Sequence, residues 1–210
     1  MIIAIDGPAA AGKGTLARRL ADHFGFAYLD TGSLYRAVGL AVLRANKSPD
    51  DIEAANQAAA KLDTSLFGDP ALRAEVTGNA ASKVAAIPSV RTNLLEFQRN
   101  FSDRPPGGKK GAVLDGRDVG TVVCPGADLK LFVTASPEVR AERRQLEILG
   151  RGEAAEFEEI LADVRARDER DMNRKDAPLK PAEDALLLDT SELDIDAVFL
   201  RAVALVEERL

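Results

Sequence analysis

At 210 residues the chain is long enough for one well-buried core, and its 46% hydrophobic and 30% charged residues describe an ordinary globular protein. The net charge of −6 argues against a general nucleic-acid binder, whose binding surface is usually basic, so we expect no nucleic-acid partner. The chain has one cysteine, no basic leader and no apolar stretch near the roughly 20 residues of a membrane helix. We therefore expect a cytoplasmic protein with neither a disulfide framework nor a membrane partner.

A glycine-rich loop joins the first predicted strand to the first predicted helix. An apolar run at Ile2–Ile5 predicts the strand, and apolar residues at helical spacing predict a helix over about Lys13–Phe24. The loop follows the pattern G-x-x-x-x-G-K, in which glycines let backbone N–H groups curl around phosphates and the lysine adds a cation. We predict that the phosphates of a nucleoside triphosphate bind to Gly7, Pro8, Ala9, Ala10, Ala11, Gly12, Lys13, Gly14 and Thr15.

One position of this loop departs from the usual pattern. Gly14 follows Lys13 where a serine or threonine usually coordinates Mg²⁺, and the hydroxyl comes one residue later, at Thr15. We therefore expect Mg²⁺ to be held mainly through water, substrate oxygens and a distant carboxylate.

The next strand and helix carry a candidate ligand-binding arginine. A short strand over about Phe26–Leu29 is followed at Asp30 by a helix with Arg36 near its start. A cation near a helix N-terminus is electrostatically disfavoured unless an anion or a carboxylate lies nearby. Arg36 is therefore predicted to face the ligand.

The middle of the chain is predicted to be mainly helical. Helices are expected over about 49–62, 79–85 and 90–101, and a flexible loop over 103–111 returns to the sheet. The stretch 63–77 fits short strands and irregular turns equally well.

A third strand, Ala112–Asp115, ends in a carboxylate. P-loop proteins have a carboxylate that helps to bind the metal ion at this end of an apolar strand. Asp115 is therefore predicted to bind Mg²⁺ through water. Arg117 and Asp118 follow within a glycine-rich segment, at the edge where open α/β sheets bind ligands.

The last third of the chain is predicted to hold two more strands and a lid. Strands are expected over Leu129–Val133 and Leu186–Leu188, and a closing helix follows the second. A helix starting at Ser136-Pro137 is broken at Gly150-Arg151-Gly152, and the two glycines favour a short mobile lid. This helix carries Arg140, Arg143 and Arg144.

The following helix, predicted over about 154–171, has a charged stripe on the side that also carries apolar residues. Intervals of 4, 3, 4 and 3 put five residues on this face if the helix continues far enough: Ile160, Val164, Arg167, Asp171 and Arg174. Because the apolar pair should point inward, the charged residues are carried into the interior or a cleft, where charges need partners. We assign to solvent the residues on the other faces, Arg165, Asp168, Glu169 and Arg170.

The alternation of strands and helices predicts an α/β fold in which helices cover both faces of a five-stranded parallel sheet. With its phosphate loop, this arrangement resembles a three-layer α/β/α P-loop NTPase domain. Five blocks, in order, resemble bacterial cytidylate kinases, a family of P-loop nucleoside monophosphate kinases: residues 5–15, 29–36, 81–91, 115–121 and 167–179. The resemblance implies strand order 2-3-1-4-5 and transfer of the γ-phosphoryl group of ATP to CMP or dCMP, with Mg²⁺. We expect one monomeric kinase domain over 1–210, with a core at about 1–35, 108–150 and 171–210, a monophosphate-binding region at about 36–107 and a lid at about 145–170.

The resemblance also implies roles for individual residues. It implies that Ser82, Arg91 and Asp118 read cytosine, that Arg167 and Asp171 hold the sugar, and that Thr31, Arg36, Arg117 and Arg174 grip the monophosphate. Catalytic charge on the transferring phosphoryl group is expected from Lys13, Arg117, Arg174, Arg144 and Arg151. The family often has a longer insert where this chain has the short stretch 62–79.

Two other functions compete with this interpretation. The first is a P-loop kinase for another monophosphate, such as UMP or AMP, against which Ser82 and Asp118 argue. The second is a GTP-binding switch, suggested by Asn173-Arg174-Lys175-Asp176. The lysine of that tetrapeptide is misplaced for guanine recognition, and the segment follows a helix rather than a strand.

Overall fold

The structure is a computed structural model that describes residues 1–209. Five parallel strands form its sheet in the order β2-β3-β1-β4-β5, which confirms both the predicted fold class and the predicted strand order. The strands are β1 (Ile2–Asp6), β2 (Ala27–Asp30), β3 (Ala112–Gly116), β4 (Leu129–Thr134) and β5 (Leu186–Asp189).

Eight α-helices surround the sheet within the described residues. They are α1 (Lys13–Phe24), α2 (Thr31–Arg44), α3 (Ile52–Ala60), α4 (Glu75–Val84), α5 (Pro88–Asp103), α6 (Pro137–Leu149), α7 (Phe157–Asn173) and α8 (Ile195–Glu207). Local chemistry sets several starts, because Asp30, Ser136 and Asp194 each accept a hydrogen bond from a backbone N–H three residues on. No helix among residues 1–209 is both long and apolar enough to cross a membrane.

The apolar residues pack in layers on the two faces of the sheet. Ile3 and Ile5 of β1 pack with α1 and α8, whereas Ala4 packs with Leu114 and Val119 on the opposite face. Because side chains alternate along a strand, the central strand is buried on both faces, as a parallel sheet requires.

Three further apolar clusters lie away from the sheet, the smallest of them formed by Ala37, Leu40 and Leu72. Helices α2, α3, α4 and α5 share one cluster, which includes Leu34, Val38 and Leu94. Helices α6 and α7 share a smaller one, which includes Ile148 and Ile160. The region predicted to bind a monophosphate and the predicted lid thus each have apolar packing of their own.

Several boundaries differ from the predicted ones. Helix α4 begins at Glu75, four residues before the predicted start, and 3-10 turns at Thr64–Gly68 and Pro70–Arg73 precede it. Helix α7 runs over Phe157–Asn173, so Arg174 lies beyond its end with an extended backbone. After β3, a π-helical turn forms because Asp6 accepts hydrogen bonds from the N–H groups of Val119 and Gly120, at 2.8 and 2.7 Å.

Candidate active site

The phosphate loop occupies residues 7–15 between β1 and α1. Gly7 and Gly12 have φ of 147° and 84°, conformations that favour glycine, and a Cβ on Gly7 would lie 1.9 Å from Val133 O. Gly12 caps α1 without a side-chain hydrogen bond, so the first N–H groups of the helix are left for an anion. The loop therefore has the form of a phosphate cradle.

Lys13 lies buried at the base of this cradle. Its Nζ donates a hydrogen bond to Pro8 O at 2.7 Å. Burial, followed by repulsion from Arg117, lowers the pKa of Lys13 to about 7. Anionic phosphates beside Lys13 would favour its charged form, so the site gains a cation when such a ligand binds.

Asp115 stands at the end of β3, beside the phosphate loop. Its Oδ1 accepts a hydrogen bond from the Tyr28 hydroxyl at 3.0 Å. Burial, followed by repulsion from Asp30, raises the pKa of Asp115 to about 7. A Cβ on Gly14 would lie 3.6 Å from Asp115 Oδ2, so the missing side chain keeps the approach to this oxygen open.

This donor set fits Mg²⁺ better than a metal that needs a protein cage. Residues 1–209 contain no group of three or more His, Cys, Asp or Glu placed to hold a metal ion. Mg²⁺ at phosphate-transfer sites is typically bound by one or two carboxylates, substrate phosphates and water. Asp115, a carboxylate beside Gly14 of the phosphate loop, meets that description.

A cavity of about 200 Å³, here called the inner cavity, lies between the phosphate loop, α2, α4 and α7. It brings together residues that are far apart in the sequence. All nine residues predicted for the monophosphate line it: Thr31, Arg36, Ser82, Arg91, Arg117, Asp118, Arg167, Asp171 and Arg174. Lys13 lines it as well, so the phosphate loop and the second predicted site share a wall.

The charged side chains of the inner cavity are paired only in part. Arg91 donates a hydrogen bond to Asp118, and Arg117 Nε lies 3.0 Å from Asp171 Oδ2. Although burial pushes the pKa of Asp171 upward, Arg117 and Arg167 hold it below its ordinary value. Five arginines face three carboxylates on the cavity wall, so positive charge is in excess.

Two buried donors in this cavity make no hydrogen bond, although one of them, Arg174 Nη2, lies 3.6 Å from Asp118 Oδ1. The other is Arg167 Nε. Burial, followed by repulsion from Arg117, lowers the pKa of Arg167 to about 10. Since buried donors rarely stay unpaired in a folded protein, these two groups point to an anionic ligand.

Arg36 and Thr31 reach the inner cavity from the start of α2. Arg36 Nη1 donates to Leu72 O at 2.9 Å, so the short stretch 62–79 orients this arginine. The Thr31 hydroxyl donates to Asp115 O at 2.8 Å, which ties the start of α2 to the end of β3.

Two further cavities adjoin the phosphate loop. The outer cavity, of about 650 Å³, has Lys13 and Arg144 at one side and Leu193, Ile195 and Val198 at another. Its volume suits a drug-sized or nucleotide-sized ligand. The middle cavity, of about 360 Å³, is lined by Arg144 together with Arg36 and Arg167, and it lies between the other two.

The two predicted lid arginines are bound to carboxylates. Arg144 Nη1 lies 2.9 Å from Glu147 Oε2, and Arg151 Nη1 lies 3.1 Å from the other oxygen of Glu147. Arg151 also pairs with Glu153 at 2.6 Å. Arg144 therefore stands at the cavities, whereas Arg151 is exposed at the end of α6.

The predicted solvent role was wrong for two residues of α7. Asp168 is buried against Arg140, and Arg170 Nη1 donates to the Ser82 hydroxyl at 2.9 Å. The predicted helix had one buried face, but α7 packs against both α6 and the inner cavity, so a second face is covered. Arg165, paired at the surface with Glu138, does lie in solvent.

The whole chain is similar in sequence to known proteins. A family model described as cytidylate kinase matches residues 3–208. The chain is 58% identical over 209 residues to a cytidylate kinase of Brucella suis biovar 1 (strain 1330), covering 100% of this chain and 94% of that one. It is 59% identical over 205 residues to a cytidylate kinase of Paramagnetospirillum magneticum (strain ATCC 700264 / AMB-1), covering 98% and 97%.

Solved structures with much lower identity share the fold. An uncharacterized protein from Eubacterium ventriosum ATCC 27560 aligns with a TM-score of 0.57 and 15% identity, covering 100% of this chain and 99% of that one. Shikimate kinase from Bacteroides thetaiotaomicron aligns with a TM-score of 0.50 and 13% identity, covering 99% and 98%. At these identities the likeness concerns the fold alone.

Proposed function

The chain belongs to the cytidylate kinase family, and from this premise we propose which of its residues carry out the transfer of the ATP γ-phosphoryl group to CMP or dCMP. The enzyme is a nucleoside monophosphate kinase. The observation that carries the assignment is the inner cavity, where nine predicted residues meet and share Lys13 with the phosphate loop.

The donor nucleotide occupies the outer cavity in this proposal. Residues 7–15 hold its phosphates, and Lys13 neutralises the outer ones. Asp115 would hold Mg²⁺ through water, and the ion would supply charge neutralisation and alignment of the phosphate oxygens. The apolar side formed by Leu193, Ile195 and Val198 suits the flat base of ATP.

The acceptor nucleotide occupies the inner cavity. Thr31, Arg36, Arg117 and Arg174 hold its phosphate, while Arg167 and Asp171 hold the sugar. Arg167 Nε and Arg174 Nη2 are buried without a hydrogen bond, and this supports an anionic ligand there. Once bound, the acceptor oxygen and the donor phosphate approach each other along the wall that contains Lys13.

Ser82, Arg91 and Asp118 read the cytosine base. Cytosine offers an amino donor at N4 and acceptors at O2 and N3. A carboxylate opposite the donor, with an arginine and a hydroxyl opposite the acceptors, rejects uracil, which has an acceptor in place of the amino group. Arg91 already orients the Asp118 carboxylate.

Phosphoryl transfer needs little covalent help from the protein, and catalysis consists of alignment and charge stabilisation. Lys13, Arg117 and Arg174 supply positive charge, joined by Arg144 and Arg151 when the lid closes. Asp6 accepts hydrogen bonds from two backbone N–H groups and Asp118 accepts one from Arg91, and the reaction requires no general base.

The monophosphate-binding region (about 36–107) and the exposed tip of the lid (about 145–170) move against the core in this proposal, while Asp168 at the base of the lid stays bound to Arg140. The separate apolar cluster of α2–α5 supports such a unit. Closure excludes water that would otherwise hydrolyse ATP. The monomeric state and the cytoplasmic location stay predictions.

A coupled assay with ATP and Mg²⁺ across CMP, dCMP, UMP and AMP tests the proposal. We expect turnover of CMP or dCMP to exceed that of UMP and AMP by at least about 10²-fold in kcat/KM. Equal or better turnover of UMP would refute the assignment of Ser82, Arg91 and Asp118 to cytosine. Tight GTP binding without kinase activity would instead favour a switch protein.

A further inference from the structure

A buried ion pair joins the two halves of the active site. Arg140 of α6 is 2% exposed, and its Nη1 and Nη2 donate to the two carboxylate oxygens of Asp168 of α7, at 3.0 and 2.5 Å. Arg140 also donates to Ala135 O at 2.9 Å and to Ala9 O at 3.2 Å. One guanidinium thus binds the end of β4, the phosphate loop and α7.

Stability alone gives a weak reason for such a pair. Two charges lose their hydration when buried, and well-packed apolar residues of similar volume are often as stable or more so. The position of Asp168 offers another reason. It lies one residue after Arg167 and three before Asp171, and both of these line the inner cavity. Fixing Asp168 therefore fixes the helix that presents the sugar-binding residues.

The bond to Ala9 O acts on the phosphate loop. Because a trans peptide is planar, the carbonyl of Ala9 and the N–H of Ala10 point in opposite directions. Arg140 draws the carbonyl toward α6, so the N–H of Ala10 is turned away from α6. Ala10 has φ of 59°, a conformation that a non-glycine residue seldom adopts without support, and Arg140 supplies that support.

We propose that Arg140 is a positioning residue that sets the donor loop relative to the acceptor helix. It fixes the direction of the Ala9–Ala10 peptide and, through Asp168, the placement of Arg167 and Asp171. The inference rests on the proposed function of the outer and inner cavities. Small misalignments of reacting groups are costly, and a displacement of about 1 Å can reduce turnover by about 10²-fold.

Two variants test the proposal. Arg140→Lys keeps the charge, but a lysine cannot bind Ala9 O and both oxygens of Asp168 in the same planar geometry. The double variant Arg140→Met with Asp168→Leu removes both charges together, so no unpaired charge is left in the interior. The control is Arg165→Gln, which breaks the exposed Arg165–Glu138 pair between the same two helices.

The readouts are kcat per folded molecule for CMP phosphorylation, KM for each nucleotide, and the rate of ATP hydrolysis without CMP. We expect both variants to lose about 10- to 10²-fold in kcat for CMP phosphorylation and to raise KM for CMP, because Arg167 and Asp171 shift, while ATP hydrolysis, which needs no acceptor alignment, falls by a smaller factor. Arg165→Gln should match the wild type. If the double variant does not fold, the kinetics of Arg140→Lys alone test the proposal.

Two results would overturn the proposal. One is a kcat within about threefold of wild type in each variant that folds. The other is an equal loss of CMP phosphorylation and ATP hydrolysis, which indicates a general structural role. A failure of the proposed function would give a different result, because the wild type and Arg165→Gln would then not phosphorylate CMP at all.

Discussion

Arg91 donates a hydrogen bond to the carboxylate of Asp118, whose other oxygen lies 3.6 Å from Arg174 Nη2. The carboxylate is therefore held in one orientation before any base arrives. We predict that Asp118→Asn lowers kcat/KM for CMP by about 10- to 10²-fold, because a charge-assisted hydrogen bond to the base is lost. The ratio of CMP to UMP turnover should fall with it in a coupled assay.

The control for this prediction is Asp196→Asn, which changes an exposed aspartate of α8 that pairs with Arg19 and does not line the inner cavity. It should leave the nucleotide preference unchanged. A CMP preference in Asp118→Asn equal to that of the wild type would contradict the assignment of Asp118 to the base.

Glu147 accepts hydrogen bonds from Arg144 and Arg151, the two arginines expected to act on the transferring phosphoryl group. We predict that Glu147→Gln frees Arg144 for the triphosphate and lowers KM for ATP by about two- to fivefold, the range for exposed ion pairs. ATP hydrolysis in the absence of CMP should rise as well. Both are measured by steady-state kinetics at constant ionic strength, because these pairs are screened by salt.

Glu153→Gln is a matched control, since Glu153 pairs with Arg151 alone and leaves the Arg144–Glu147 pair intact. Its KM for ATP should stay near that of the wild type. A higher KM for ATP in Glu147→Gln would mean that Glu147 supports nucleotide binding rather than competing with it.

The phosphate loop could be predicted from the sequence because its determinants are local. Gly7, Gly12 and Lys13 lie within seven residues, and their spacing follows from the backbone conformation that a phosphate needs. The inner cavity was predicted in part from local patterns, which pointed to Arg36 and to the stripe Arg167, Asp171 and Arg174. Bringing these together with Ser82 and Arg91, which come from α4 and α5, depended on the family resemblance.

The Arg140–Asp168 pair was not predictable, for a physical reason. The stripe on α7 was derived from one buried face, but Asp168 lies about 100° around the helix from Arg167. Whether that second face is buried depends on how α6 packs against α7. The two side chains lie 28 residues apart, on different helices. Their contact depends on the relative rotation of these helices, which cannot be read from the sequence.

Lys13→Met should separate function from stability. We predict a loss of at least about 10²-fold in kcat, because the cation at the transferring phosphoryl group is removed. The free energy of unfolding of Lys13→Met, compared with that of the wild type, should also be larger at pH 7 than at pH 9.5. The pKa of Lys13 falls from 10.5 to about 7 on folding, so between these values the unfolded chain binds the extra proton.

The sign follows from that proton. Wild-type stability rises with pH between about 7 and 10.5 relative to Lys13→Met, in which the titrating group is gone. Urea unfolding at the two pH values measures the difference. Lys61→Met, at an exposed lysine, is the control, and a Lys13→Met variant that retains wild-type kcat would contradict the catalytic role.

Asp6 makes the stability of the fold depend on pH with the opposite sign to Lys13. Burial raises its pKa from 3.8 to about 6, although the N–H groups of Gly120 and Val119 act against the rise. Between these values the folded protein binds the extra proton, so wild-type stability falls as pH rises. A shift of this size corresponds to about 3 kcal/mol. We predict that the stability advantage of the wild type over Asp6→Asn is largest near pH 4 and shrinks by about that amount toward pH 7.

Asp63 supplies the internal control for this last prediction. The Ser65 hydroxyl and N–H lower the pKa of its exposed carboxylate, so its contribution has the reverse sign and grows as pH rises through about 4. Unfolding by urea at pH 4, 5, 6 and 7 for the wild type, Asp6→Asn and Asp63→Asn checks both: the advantage over Asp6→Asn falls across this range, whereas the advantage over Asp63→Asn is nearly complete by about pH 5 and then stays flat. An advantage over Asp6→Asn that grows with pH would mean that the two backbone N–H groups outweigh burial at Asp6, and that its carboxylate is ionised throughout.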